Sequence, residues 1–144
     1  MQQPHPPVIV GGHGAKRTPA LAARFADEIN VPFVGMDAVA VQFARVDAAC
    51  REVDRDPAEL VRSVAQTIAV GRNDAEVDRR ALTLGSDAAE VRANGLAGTV
   101  AEVVDRLGQW HEKTGITRIY LQLMDMADID QVELIAAEVA PQLD

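Results

Sequence analysis

A strand–glycine–helix pattern at residues 6–18 constrains the fold of this chain more than any other feature. The β-branched run Val8–Val10 is followed by three glycines, two cations and an alanine-rich segment, the key residues being Gly11, Gly12, Gly14, Lys16 and Arg17. Glycines let the backbone approach an anion closely, and the free N–H groups in the first turn of a helix point toward it. The pattern therefore predicts a βα unit with a phosphate-binding turn, as found inside α/β domains. Because this unit lies so close to Met1, we expect the chain to begin in the middle of a fold.

The composition argues against several classes of protein. The formal net charge is −8, which disfavours a nucleic-acid-binding surface. No apolar run approaches the roughly 20 residues that span a bilayer. Cys50 is the only cysteine, which excludes an intramolecular disulfide and favours a reducing, cytoplasmic setting. The histidines do not lie at metal-ligand spacing from Cys50 or from each other, so we assign no metal site. A chain of this length predicts a single domain over residues 1–144.

Strand and helix patterns alternate in the first half of the chain. Thr18 and Pro19 predict a helix start, and the inner face of that helix is expected at Leu21, Ala22 and Phe25. Glu28–Phe33 is a strand candidate, and Asp37–Asp54 is the clearest helix. The apolar residues of that helix recur at spacings of three and four, namely Val39, Phe43, Val46, Cys50 and Val53.

The second half of the chain continues the alternation. Asp56 and Pro57 predict a short helical turn, and we favour an extended conformation for Ser63–Val70, although its pattern also suits a helix. Thr117–Leu123 completes a set of three main strands, counted with Val8–Val10 and Glu28–Phe33. Strands separated by helices, without hairpin signals, indicate parallel βα units. The remaining predicted elements are helices at Asn73–Leu84, from the capping box at Gly98–Glu102 and at Asp130–Ala140, with a short helix and loop at Asp87–Ala97.

Four segments, taken in order, resemble the C-terminal part of the luciferase-like flavin- or deazaflavin (F420)-dependent oxidoreductases. The resemblance covers nearly the whole chain, and its order is similar to that of the last three βα units of the family's TIM-type barrel. The cation pair after the glycines is most similar to the F420-dependent branch, whose cofactor is strongly anionic. The segments are Pro7–Thr18, Leu21–Asn30, Gly98–Leu107 and Gly115–Leu123.

The resemblance implies an α/β fold: an incomplete, half TIM-type barrel of about three parallel strands flanked by helices. A complete barrel takes about 250 residues, so we expect the first half, which in the family surrounds the reactive ring of the cofactor, to be absent. The chain would then contribute the cofactor-phosphate end of an F420 or FMN site and be inactive alone. No catalytic residue is assigned, and the substrate is not indicated. The residues implied to bind the cofactor are Gly11, Gly12, Gly14, Lys16 and Arg17, with Thr18 and Asn30 as lesser candidates.

Two alternatives to an oxidoreductase domain stay open at this stage. The chain could be a non-enzymatic oligomeric remnant of a truncated barrel, or one half of an enzyme whose first barrel half is a separate chain. In every case the outer strands would lack partners, and apolar faces would be left uncovered. We therefore expect a homodimer with an apolar interface above about 2,000 Å². The residues expected to form it are Val8, Val10, Ile119 and Leu121.

Overall fold

The computed structural model describes residues 3–85 and 88–143. The chain divides into two compact units. Unit 1 comprises Met1–Ala65 and Lys113–Tyr120, and unit 2 comprises Gln66–Glu112 and Leu121–Asp144. Two strands, β3 (Val61–Gly71) and β5 (Arg118–Gln122), begin in unit 1 and end in unit 2. Both units are therefore discontinuous in sequence.

Unit 1 is built from parallel βα elements. Strand β1 pairs in parallel with β2, and β2 pairs in parallel with the first half of β3. A hydrogen bond from Thr117 N to Arg62 O (3.0 Å) joins the start of β5 to β3. The elements of this unit are β1 (Ile9–Gly11), α1 (Arg17–Phe25), β2 (Glu28–Pro32), α2 (Met36–Arg51) and a 3-10 turn at Pro57–Glu59.

Unit 2 repeats the same alternation of strand and helix. The second half of β3 pairs in parallel with β4. Local signals set the helix starts, because the side chain of Asn73 accepts a hydrogen bond from Glu76 N (3.1 Å) and Glu102 accepts one from Thr99 N (2.7 Å). Its elements are α3 (Asp74–Thr83), α4 (Ala88–Asn94), β4 (Leu96–Thr99), α5 (Val100–Thr114), whose last two residues belong to unit 1, and α6 (Ile129–Leu134), which continues as a π-helical turn at Ile135–Val139.

The predicted α/β fold with a parallel sheet and flanking helices is confirmed. The described residues contain five strands rather than three main ones. Ser63–Val70 is extended, as favoured, within the 11-residue strand β3. Leu96–Thr99, predicted as the end of a loop and the start of a helix cap, forms the strand β4. The predicted start of the preceding helix at Asp87 lies outside the described residues.

The expected inner face of α1 is wrong at two positions. Leu21 is 45% exposed and Phe25 is 63% exposed, whereas Ala22 and Ala23 are buried. Helix α1 packs on α2, and its small residues permit close approach of the two backbones, so the large side chains point outward. Thr18 is also not the N-cap, because the helix begins at Arg17. In α2 the predicted apolar stripe is buried from Val39 to Cys50.

Candidate anion-binding site

The glycine segment forms a turn between β1 and α1. Gly11 lies in register with Asn30 on β2, and Gly12 N donates a hydrogen bond to Asn30 O (3.0 Å). Gly12 has a φ of +126°, a conformation that side-chain-bearing residues rarely adopt. A Cβ on Gly14 would lie 3.1 Å from Thr18 Oγ1. Glycine at both positions therefore brings the turn backbone close to the Thr18 hydroxyl.

A buried glutamine on α2 supports this turn. The Gln42 side-chain amide donates a hydrogen bond to Gly14 O (3.1 Å), and its own oxygen accepts one from Arg45 Nη1 (3.3 Å). Gln42 was not predicted as a functional residue. The available signal was a polar side chain beside the apolar stripe of α2, at a position that the structure shows to be buried.

The first turn of α1 leaves the N–H groups of Arg17 and Thr18 open to an external acceptor, whereas Pro19 has no N–H. Lys16 occupies the N-cap position, no side chain caps the helix, and the first turn contains no acidic residue. Lys16 and Arg17 are exposed, and neither forms an ion pair with any residue that the structure describes. In a chain of net charge −8, this turn combines unpaired cations with free helix N–H groups. The arrangement fits a phosphate group.

The structure thus brings five of the predicted residues together. These residues surround one turn, where they are connected by strand register, by a hydrogen bond and by close backbone approach. Lys16 and Arg17 are next to this turn in the sequence, and their side chains are exposed. Their role as cofactor ligands stays a prediction. The five are Gly11, Gly12, Gly14, Thr18 and Asn30.

Asn30 also contacts a polar cluster of unit 1 that was not predicted from the sequence. Its Nδ2 donates to Ser63 Oγ (2.9 Å), and Ser63 Oγ donates to Glu28 Oε1 (2.5 Å). The buried Glu28 carboxylate also accepts a hydrogen bond from Tyr120 OH (2.9 Å) and forms an ion pair with Arg118. Hydrogen bonding to Tyr120, together with the charge of the Glu28 carboxylate, raises the pKa of Arg118. We refer to Glu28, Ser63, Arg118 and Tyr120 as the Glu28 cluster.

Unit 2 contains an ion network at the segment after β5. Arg80 is only 2% exposed, and it donates to both oxygens of Asp128 (2.7 and 3.0 Å), to Asp130 (2.8 Å) and to Val70 O (2.7 Å). Hydrogen bonds from Arg72 and Arg80 lower the pKa of Asp130 to about 2. Asp128 also caps α6 by accepting from Gln131 N (3.0 Å), as expected for an acid at a helix start. This network uses the Arg80 donors internally, so it holds the segment in place.

Among residues 3–85 and 88–143, no group of three or more His, Cys, Asp and Glu side chains could hold a metal ion. No helix in the same residues is long and apolar enough to cross a membrane.

The elements define an α/β protein in which a glycine turn joins the first strand to the first helix. A family model described as luciferase-like monooxygenase matches residues 1–93. The chain belongs to this family. No curated protein is similar to it in sequence.

Solved structures of several oxidoreductases share the fold. An F420-dependent secondary alcohol dehydrogenase in complex with an F420-acetone adduct matches 99% of this chain with a TM-score of 0.81 and 15% identity. EDTA monooxygenase from Chelativorans sp. BNC1 matches 96% with a TM-score of 0.74 and 20% identity. The oxygenating constituent of 3,6-diketocamphane monooxygenase from Pseudomonas putida, in complex with FMN, matches 95% with a TM-score of 0.70 and 22% identity. The chain spans about half the length of these proteins, 50%, 46% and 49% respectively.

Proposed function

We propose that this chain contributes the cofactor-phosphate end of an F420- or FMN-dependent oxidoreductase. The observation that supports this most directly is the turn at Gly11–Thr18, where an uncapped, acid-free first helical turn adjoins two unpaired cations. Solved relatives include an F420-dependent dehydrogenase and an FMN complex, which is why both cofactors are retained. The bound cofactor would supply hydride transfer.

In this proposal the residues of the chain bind and orient the cofactor. Lys16 and Arg17 would attract the phosphate, and the backbone N–H groups of Arg17 and Thr18 would donate hydrogen bonds to its oxygens. Gln42 would hold the turn in place through Gly14 O. We propose that the chain is inactive alone, because it spans only about half the length of the solved enzymes that share its fold. The buried, free Cys50 agrees with a cytoplasmic location.

Calorimetric titration with FMN, F420 and inorganic phosphate tests the proposal. We expect the double variant Lys16→Glu/Arg17→Glu to weaken binding of the cofactor and of phosphate at least tenfold at low salt, since it reverses both charges at the turn. Arg24→Glu/Arg51→Glu is the matched control. It produces the same change in net charge at exposed sites in the last turns of α1 and α2.

Each outcome has a definite meaning. Loss of binding in the first variant but not in the control supports the site. Equal losses in both indicate a general charge effect and contradict it. If the wild-type chain binds neither cofactor, the non-enzymatic oligomeric module becomes the better account of this protein. Steady-state cofactor reduction at about 1 s⁻¹ or faster would contradict inactivity of the isolated chain.

A further inference from the structure

Asn30 lies between the glycine turn and the Glu28 cluster, and its two polar ends face different surroundings. Its backbone oxygen accepts from Gly12 N, which ties it to the turn. Its side-chain Nδ2 donates to Ser63 Oγ at 2.9 Å. Among the residues that the structure describes, none donates a hydrogen bond to Asn30 Oδ1.

The Glu28 cluster fixes the orientation of the Asn30 amide. Ser63 Oγ lies 2.5 Å from Glu28 Oε1 and 3.3 Å from Ile29 O, and both oxygens can only accept, so the Ser63 hydrogen points toward them and not toward Asn30. The Ser63 oxygen is then left as an acceptor for Asn30. If the Asn30 amide were rotated by 180°, Oδ1 would face Ser63 Oγ, whose hydrogen is already donated elsewhere.

Space is open beside Asn30 on the same face of the sheet. Gly11 lies in register with Asn30, and neighbouring residues of paired strands point to the same face. A Cβ on Gly11 would meet no atom within 4 Å. A ligand group can therefore lie over Gly11 and reach Asn30 Oδ1, immediately next to the turn that fits a phosphate.

We propose that Asn30 is a hydrogen-bond acceptor for a hydroxyl or ring N–H group of the cofactor, and that it does not bind the phosphate. This inference rests on the proposed function, and it assigns to Asn30 a chemistry different from that of the turn. An outward carbonyl oxygen repels a phosphate but matches the hydroxyl groups of a polyol chain attached to one. The ligand class is a phosphorylated polyol, with its phosphate at the turn and its hydroxyl groups over Gly11.

Paired titrations separate the two parts of such a ligand. Inorganic phosphate probes the turn alone, and riboflavin, or the deazaflavin carrying its ribityl chain without phosphate, probes the Asn30 side alone. We expect Asn30→Leu to weaken binding of the cofactor and of its phosphate-free form by about fivefold each, as loss of one hydrogen bond does. Its affinity for inorganic phosphate should stay unchanged. Lys16→Glu/Arg17→Glu is the complementary variant, which should weaken phosphate and cofactor but leave the phosphate-free form unaffected.

Ser63→Ala provides a second, independent variant. It keeps Asn30 but removes the oxygen that orients the amide, while Glu28 retains Arg118 and Tyr120 as partners. We therefore expect it to weaken binding of the cofactor and of its phosphate-free form less than Asn30→Leu does, and to leave the affinity for inorganic phosphate unchanged. Circular dichroism confirms that each variant is folded. The inference is overturned if Asn30→Leu weakens binding of inorganic phosphate as much as binding of the cofactor, or if it weakens binding of no ligand. Failure of the proposed function is distinguishable, since then the wild-type chain binds no cofactor or the Lys16/Arg17 variant loses nothing.

Discussion

At the scale of single residues, Arg80 shows how a charged side chain becomes part of a core. The helical pattern around it identifies an element but gives no sign that this arginine is almost fully buried. Its burial is compensated by carboxylates from a segment about fifty residues further along the chain, at Asp128 and Asp130. An unpaired buried charge would be strongly destabilising, whereas here nearly every donor has a partner.

The first prediction concerns acid stability of this ion network. The pKa of Asp130 is lowered from its ordinary value of 3.8 to about 2. A lowered pKa means that the stabilisation is present above the unfolded value and is lost as the pH falls through the folded value. We therefore expect wild-type and Asp130→Asn proteins to differ in urea midpoint at pH 5 and to converge between pH 4 and pH 2. A gap that stays constant over this range would contradict the prediction.

Several residues that matter most for the site escaped prediction because their roles depend on distant partners. Gln42 contacts Gly14 across 28 positions, and Ser63 contacts Asn30 across 33. The glycine turn itself was predictable, because its backbone conformation is a local property of Gly12 and Gly14. Local residue types therefore indicated the turn, and tertiary packing supplied its supports.

At the scale of elements, prediction succeeded where structure is set locally. The caps at Asn73 and Thr99 and the chain reversal at Gly115, with a φ of +69°, follow from side chains or backbone freedom at those positions. Strand β4 was missed because four residues carry little periodic signal, and its strand conformation comes from pairing with Ile68–Gly71 of β3. The exposed Leu21 was wrongly placed because periodicity identifies a helix but not which face its neighbour covers.

The second prediction concerns two glycines in different elements. A Cβ on Gly71, at the end of β3, would lie 2.8 Å from both Glu76 Cβ and Val77 N and 3.0 Å from Asn73 O. Because backbone atoms cannot yield easily, we expect Gly71→Ala to lower the free energy of unfolding by about 1–3 kcal/mol. Gly108 on α5 has open space at its Cβ position, so Gly108→Ala should raise it by up to about 1 kcal/mol.

Urea unfolding followed by circular dichroism measures both changes. Gly108→Ala serves as the matched control, because the same methyl group is added in a helix without steric conflict. Equal changes in the free energy of unfolding would contradict the prediction, because they would show that the start of α3 moves away from the methyl group added at Gly71 at no cost in stability.

At the scale of the whole molecule, large apolar side chains are exposed in each unit. In unit 1, Ile9 is 51% exposed on β1, and Leu21 and Phe25 are exposed on α1. Val8 is also exposed, and Val10 and Ile119 are half-buried. In unit 2, Leu121 is half-buried and Met126 is 85% exposed. Exposed apolar surface of this kind favours association.

The third prediction is that the 144-residue chain self-associates, and we propose a homodimer. Size-exclusion chromatography with light scattering at micromolar concentration should give about twice the protomer mass of 15.4 kDa. Leu21→Glu/Phe25→Glu should shift the equilibrium toward the monomer if the exposed face of α1 takes part. A wild-type protein that is a monodisperse, cooperatively unfolding monomer would contradict the prediction.

The discontinuity of unit 1 has a consequence for the protein during synthesis. Residues up to Ala65 leave the ribosome well before Lys113–Tyr120, which belong to the same unit. At about 5–20 residues per second, the delay is about 3–11 s. During that interval Glu28 has neither Arg118 nor Tyr120 as a partner, although its carboxylate is destined for burial. We therefore expect Glu28 to stay hydrated until Arg118 and Tyr120 have been synthesised, so that unit 1 closes around this carboxylate only at a late step.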